Sequence, residues 1–144
     1  MNIIRKNGFT IAEVLVVIAI FLIMIAALGP FVRMAKIRAH NLNCANNLRK
    51  LSLGLHAYAV DHNDEFPPNL GALYPNYVEE IRAFDCPASR SIGTPDNPDY
   101  RYMAGLTEIS SPKEVIAQDL DNNHKRSGKN ALRIDGSVTW AEGH

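Results

Sequence analysis

The chain has 144 residues, room for one modest domain and a terminal extra, since domains cluster at about 100 to 150 residues. Fifteen basic residues balance fifteen acidic ones and no run of like charge exceeds a few residues, so there is no basic face for nucleic acid, and no nucleic-acid partner is expected. The two cysteines, Cys44 and Cys86, lack the C-x-x-C spacing of zinc or dithiol redox motifs; outside the cytoplasm they read as one disulfide, inside it as two buried thiols.

The chain opens MNIIRKNGFTIAEVLVVIAIFLIMIAALGPFVR. From Ile11 to Val32 the only charge is Glu13. About 20 apolar residues span a bilayer, and a carboxylate at that depth costs roughly 2.5–3.5 kcal/mol, so Glu13 needs a reason. A secretory signal would use Arg5 and Lys6 as its basic region and cut near Ala26 and Ala27. Glu13 interrupts such a signal, and the cut would leave Pro30 at or beside the new terminus. A plain signal anchor explains the length but not Glu13, and Arg5 and Lys6 against Arg33, Lys36 and Arg38 leave the positive-inside rule tied.

The stretch KNGFTIAEVLVVIAI resembles the N-terminus of type IV prepilins and type II secretion pseudopilins: a short basic leader ending in glycine, then Phe9, then glutamate four residues later, then an apolar helix. The resemblance implies cleavage after Gly8 by a prepilin peptidase and N-methylation of Phe9. It also implies a filament in which the Phe9 amine of one copy meets Glu13 of its neighbour, and Pro30 stands where such subunits carry a helix-kinking proline. A buried pair of this kind adds little stability but penalises every register that leaves a charge alone. A glutamate reaching back to the cytoplasmic interface is the alternative. The implied partners are other copies and other pilins or pseudopilins, the peptidase, an inner-membrane assembly platform and the membrane. The implied location is the bacterial inner membrane, held by a single helix with the domain in the periplasm, and then the pilus or pseudopilus.

Past Pro30, Met34, Ile37, Cys44, Leu48, Leu51, Leu55 and Tyr58 recur at steps of three and four, with Asn41 in the one polar slot, which predicts an amphipathic helix to about Val60. The expected division is a leader over 1–8, a transmembrane and assembly helix over 9–32, a helical spine over 33–60 and a globular α+β region over 61–144. DHNDEFPPN, from Asp61, ends the helix. A short helical stretch is expected around Gly71 to Glu80, then a proline-rich loop from Cys86 to Asp99 with little of its own to hold it. Strands are expected at 100–104, 115–119, 131–134 and 137–141, the last two joined through Asp135-Gly136 in a type I′ turn. The fold class is α+β: a pilin-like long N-terminal helix packed on a small antiparallel sheet. The segments CANNLRKLSLGLHAYAVDHNDEFPP and HKRSGKNALRIDGSVTW resemble G-type pseudopilin-like prepilins whose C-terminus carries a His, nine residues and Asp-Gly. Here ten residues separate His124 from Asp135.

Asp119, Asp121 and Asn123 form D-x-D-x-N, alternating oxygens of the kind calcium takes, and major G-type pseudopilins carry calcium in a C-terminal loop. Measured against an EF-hand, His124 replaces the glycine and Asn130 the glutamate, so the incomplete set favours a polar turn between strands. Calcium is the only cofactor the sequence suggests. The five histidines, at 40, 56, 62, 124 and 144, have no zinc spacing, and His124 is expected at a turn or sheet edge. Tyr100, Tyr102 and Trp140 alternate as strand residues do. There is no G-x-S-x-G and no phosphate-binding glycine loop, so no enzyme is expected. A Cys44–Cys86 bond would tie the proline-rich loop to the spine. Two functions remain: a structural subunit of a type IV pilus or type II secretion pseudopilus, or a monomeric membrane-anchored extracytoplasmic binding module, with or without a metal.

Overall fold

A computed structural model describes residues 10–121, 123–124 and 128–141. Helix α1 spans Ile11–Asp61, 51 residues, with Pro30 inside it. The chain divides into two compact units, Met1–Lys36 and Ile37–His144. In the first, every described residue is exposed. Pro30 removes one N–H from the helical ladder, yet the helix is assigned continuously through it.

In the second unit the helix acquires one buried face. Cys44, Leu48, Leu51, Leu55 and Ala59 are all at most 1 % exposed, and their steps of four, three, four and four keep them on one side. The buried stripe begins at Cys44. Met34 and Ile37, which share its period, are 57 % and 46 % exposed, because the residues that pack on the helix start farther along. Gly54 lets the chain come close: a Cβ there would lie 2.5 Å from Val78 Cγ2. The helix stops where Asn63 and Asp64 adopt left-handed φ values of 54° and 65°, which their short polar side chains tolerate, and the N–H groups of His62 and Asp64 turn back to the Ala59 carbonyl.

The helix expected around Gly71–Glu80 is not formed. A single 3-10 turn, Leu70–Leu73, is capped by the Asn69 side chain, which accepts from Ala72 N at 3.0 Å. Pro75 follows, without an N–H and disfavouring a helical Tyr74; Tyr74 is extended, at φ −90° and ψ 141°. A second such turn spans Ile81–Phe84. These turns supply Leu70, Leu73, Ala83 and Phe84 to the core.

The sheet has four strands, β1 (Tyr100–Tyr102), β2 (Val115–Asp119), β3 (Lys129–Arg133) and β4 (Val138–Ala141), in the order β1-β2-β3-β4 and antiparallel throughout. The architecture is α+β, with one long N-terminal helix packed on a small antiparallel sheet. Ile116, Ala117 and Leu132 join the helix residues in one core. The β3–β4 turn lies at Asp135-Gly136 but is not type I′. Of its residues only Gly136 has positive φ, 79°, Gly136 N donates to Arg133 O, and Arg133 N to Ser137 O. This is the three-residue hairpin that ends in a left-handed glycine.

Candidate functional site

Two places in the chain carry chemistry. The first is the start of α1. Thr10 N and Thr10 Oγ1 donate to Glu13 Oε2 at 2.9 and 3.0 Å, and Glu13 N donates back to Thr10 Oγ1 at 3.3 Å. That is a capping box, the S/T-x-x-E arrangement that satisfies the orphan N–H groups of a helix start. Thr10-Ile11-Ala12-Glu13 displays this signal in the sequence, where the apolar run overshadows it. Gly8 and Phe9, the expected processing residues, lie outside the described residues. Beyond Glu13 the helix presents apolar side chains all round, with Leu15 61 %, Leu22 61 % and Phe31 70 % exposed. The helix is long and apolar enough to cross a membrane. A surface so continuously apolar is covered by lipid or by other helices.

The second place is the interior around Cys86. Cys44 and Cys86 are bonded, their Cα atoms 5.2 Å apart and 42 positions apart in sequence. The loop after Cys86 is better held than the sequence suggests. Buried Asp99 accepts from Cys86 N, Ser89 Oγ and Ser91 Oγ at 3.2, 2.6 and 2.7 Å, and Asp85 Oδ1 accepts from Gly93 N at 2.9 Å. Each carboxylate replaces ladder partners that an irregular loop lacks.

The three residues of D-x-D-x-N are engaged separately. Asp119 is buried; its Oδ2 accepts from Asn130 N and Asn130 Nδ2 at 2.7 and 2.8 Å and lies 2.9 Å from His124 Nε2. Asp121 is exposed and pairs with Lys129 Nζ at 3.2 Å and Arg101 at 3.3 Å; Lys129 first, then Arg101, hold its carboxyl below the usual range. Asn123 donates through Nδ2 to Asp99 O at 2.8 Å. His124 lies in the turn after β2, as expected, but its side chain points inward: it is 2 % exposed, 3.7 Å from Cys86 Sγ and edge-on to Trp140 at 5.4 Å. Asp135, the other end of the His…Asp-Gly segment, instead braces the hairpin by accepting from Ser137 N at 2.8 Å. Burial raises the hydroxyl pKa of Tyr100 and Tyr102, and both hydroxyls are structural donors, to Asp85 O and Pro67 O.

The prokaryotic N-terminal methylation motif family matches residues 4–29. Competence protein ComGC of Halalkalibacterium halodurans is 31 % identical over 89 residues, covering 61 % of this chain and 83 % of that protein. The chain belongs to the type IV prepilin and pseudopilin family. No solved structure matches it. In this pilin-like protein the matched motif contains both Glu13 and the exposed apolar helix, while the domain that follows carries the disulfide, His124 and Asp119.

Proposed function

We propose that the chain is a filament subunit, cleaved after Gly8, N-methylated on Phe9 and polymerised through the first part of α1 into a type IV pilus or a secretion-type pseudopilus. Residues 1–8 act as the leader, 9–32 as the membrane and assembly helix, 33–60 as the spine, and 61–144 as the displayed region in the periplasm. The observation that carries this reading is the run of apolar residues, exposed on every side, that fills most of the matched methylation motif and continues past it. Before assembly lipid covers that surface, and afterwards the helices of other copies do. The ComGC relative is a competence protein, so a DNA-uptake pseudopilus joins the pilus and the secretion pseudopilus among the assemblies this subunit would serve. Its work is structural rather than catalytic.

The capping box favours a second reading. Glu13 already has a local partner in Thr10, so its presence does not by itself require a neighbouring subunit, and a monomeric anchored binding module would also keep it. Intact-mass analysis of the membrane fraction tests processing, which the filament reading requires. The expected mature chain begins at Phe9 and carries one methyl group. A chain that keeps Met1, or one cut near Ala27, contradicts the proposal.

A further inference from the structure

We propose that the chain, when its cysteines are reduced, holds one zinc ion between Cys44, Cys86, His124 and Asp119. One ligand atom from each of these four residues lies within 4.8 Å of all the others, and all four residues are buried. They come from α1, from the loop after Ile81–Phe84, from the end of β2 and from the turn that follows, so the fold brings together what the sequence spacing hides. Two sulfurs, one imidazole and one carboxylate are a donor set that suits zinc's borderline-soft character and tetrahedral geometry. Asp119 adds a second observation. Its Oδ2 accepts two hydrogen bonds from Asn130 and lies 2.9 Å from His124 Nε2, whereas its Oδ1 is buried without a partner among the described residues. A buried carboxylate oxygen left without a donor is costly, and a cation would satisfy it.

The surroundings are those of a metal site. Asn130 fixes the carboxylate through two hydrogen bonds, the kind of outer support that orients a ligating group. A cavity of about 280 Å³ lined by His40, Pro87 and His124 opens to solvent on the His124 side of the cluster. The chemistry balances. A thiol or phosphine reductant supplies two electrons, the S–S bond breaks, and each sulfur takes a proton. Zinc then displaces both protons, and His124 ligates through Nε2 as an imidazole whose ring proton is carried on Nδ1. Two thiolates cancel the charge of the ion, so the cluster keeps the negative charge of Asp119 and gains none. With Zn–S bonds of about 2.3 Å the sulfurs need to part to only about 3.8 Å. Disulfide and metal exclude each other, because bonded sulfurs offer no thiolate pair. On the exported-subunit reading above, zinc would tie the loop to the helix while the thiols are reduced, and the disulfide would do so after export.

The test uses the full chain in detergent micelles and needs no filament, so its failure is distinct from a failure of the assembly reading. Protein purified as the disulfide is divided, one half is reduced with a phosphine, and both are dialysed against zinc or cobalt under argon. The expected result is one zinc per reduced chain, none bound by the oxidised chain, and thiolate-to-cobalt charge-transfer absorption with the bands of tetrahedral cobalt in the reduced form only. His124→Ala should weaken zinc binding by more than the roughly 10- to 100-fold that loss of an outer-shell partner costs. Should that variant misfold, the near-isosteric Asp119→Asn tests a ligand in its place. If the reduced parent loses its fold without metal, zinc should restore its circular dichroism, as coupled binding and folding requires. A reduced chain that takes up no stoichiometric zinc, folded or not, overturns the proposal. So does equal uptake by the oxidised chain, or an unchanged cobalt spectrum in both ligand variants.

Discussion

Residues 11–36 and 44–59 lie in one helix and follow different rules. The first stretch, apart from Glu13, Arg33 and Lys36, is apolar and exposed on every side; the second is buried at 44, 48, 51, 55 and 59 while Leu53 stays 74 % exposed. The glycines mark the same contrast. Gly29 has nothing within 4 Å of a notional Cβ, whereas at Gly54 that Cβ would strike Val78. A helix with no period expects a partner on all sides, and a helix with one stripe expects a partner on one. The lesson is that the period of the apolar residues, not their number, tells which half of α1 belongs to the domain and which half to a surrounding phase of lipid or other helices.

The strongest way to break this contrast is to reduce the disulfide in the presence of a metal chelator. Closing a loop of 42 positions is worth roughly 4 kcal/mol in the chain-entropy account. The domain's melting temperature should fall steeply, while the micelle-bound helical signal from the first stretch persists; equal loss of both would mean that the two stretches unfold as one. A smaller change compares leucines. Leu51→Ala, at 0 % exposure, should cost about 3 kcal/mol of domain stability, and Leu22→Ala, at 61 %, should leave the domain's denaturation curve unmoved. Asp121 gives the smallest effect. Lys129 and Arg101 lower its pKa, so its contribution is present above the ordinary carboxylate value of about 3.9 and is lost as pH falls through its lower folded value. Melting temperature against pH should be shallower there in Asp121→Asn. With both oxygens of Asp121 already facing cations, a calcium chelator should not shift the melting temperature of the oxidised chain.

The elements that announced themselves in the sequence are those set by local rules. The steps from Cys44 to Leu55, the acid- and asparagine-rich stop after Asp61, the β-prone runs and Asp135-Gly136 all place elements within a few residues of where they lie. The misreadings share a cause, which is that tertiary partners decide. Pro75 prevents the helix expected after Gly71 but leaves one turn that the core uses. The D-x-D-x-N spacing favours a polar turn, and past the end of β2 at Asp119 strand alternation no longer governs Asp121, which turns outward to Lys129. His124 lies in the turn its sequence neighbours suggest, but nothing near it in sequence reveals that Asp119 and the disulfide await its side chain inside. Asp99, which organises the loop after Cys86, carries no signal beyond being an acid among turn residues.

The central claim, that Glu13 matches charge between copies rather than only closing its own helix, is tested most directly by Glu13→Gln. Glutamine serves at this position of a capping box as glutamate does, so the substitution keeps the local bonds from Thr10 and removes only the charge. Sheared-fibre yield from cells producing this variant, normalised to the amount inserted in the membrane, is the measurement. The filament account predicts normal insertion and loss of ordered fibres. Fibre yield equal to that of the parent would contradict it and leave Glu13 as a helix cap.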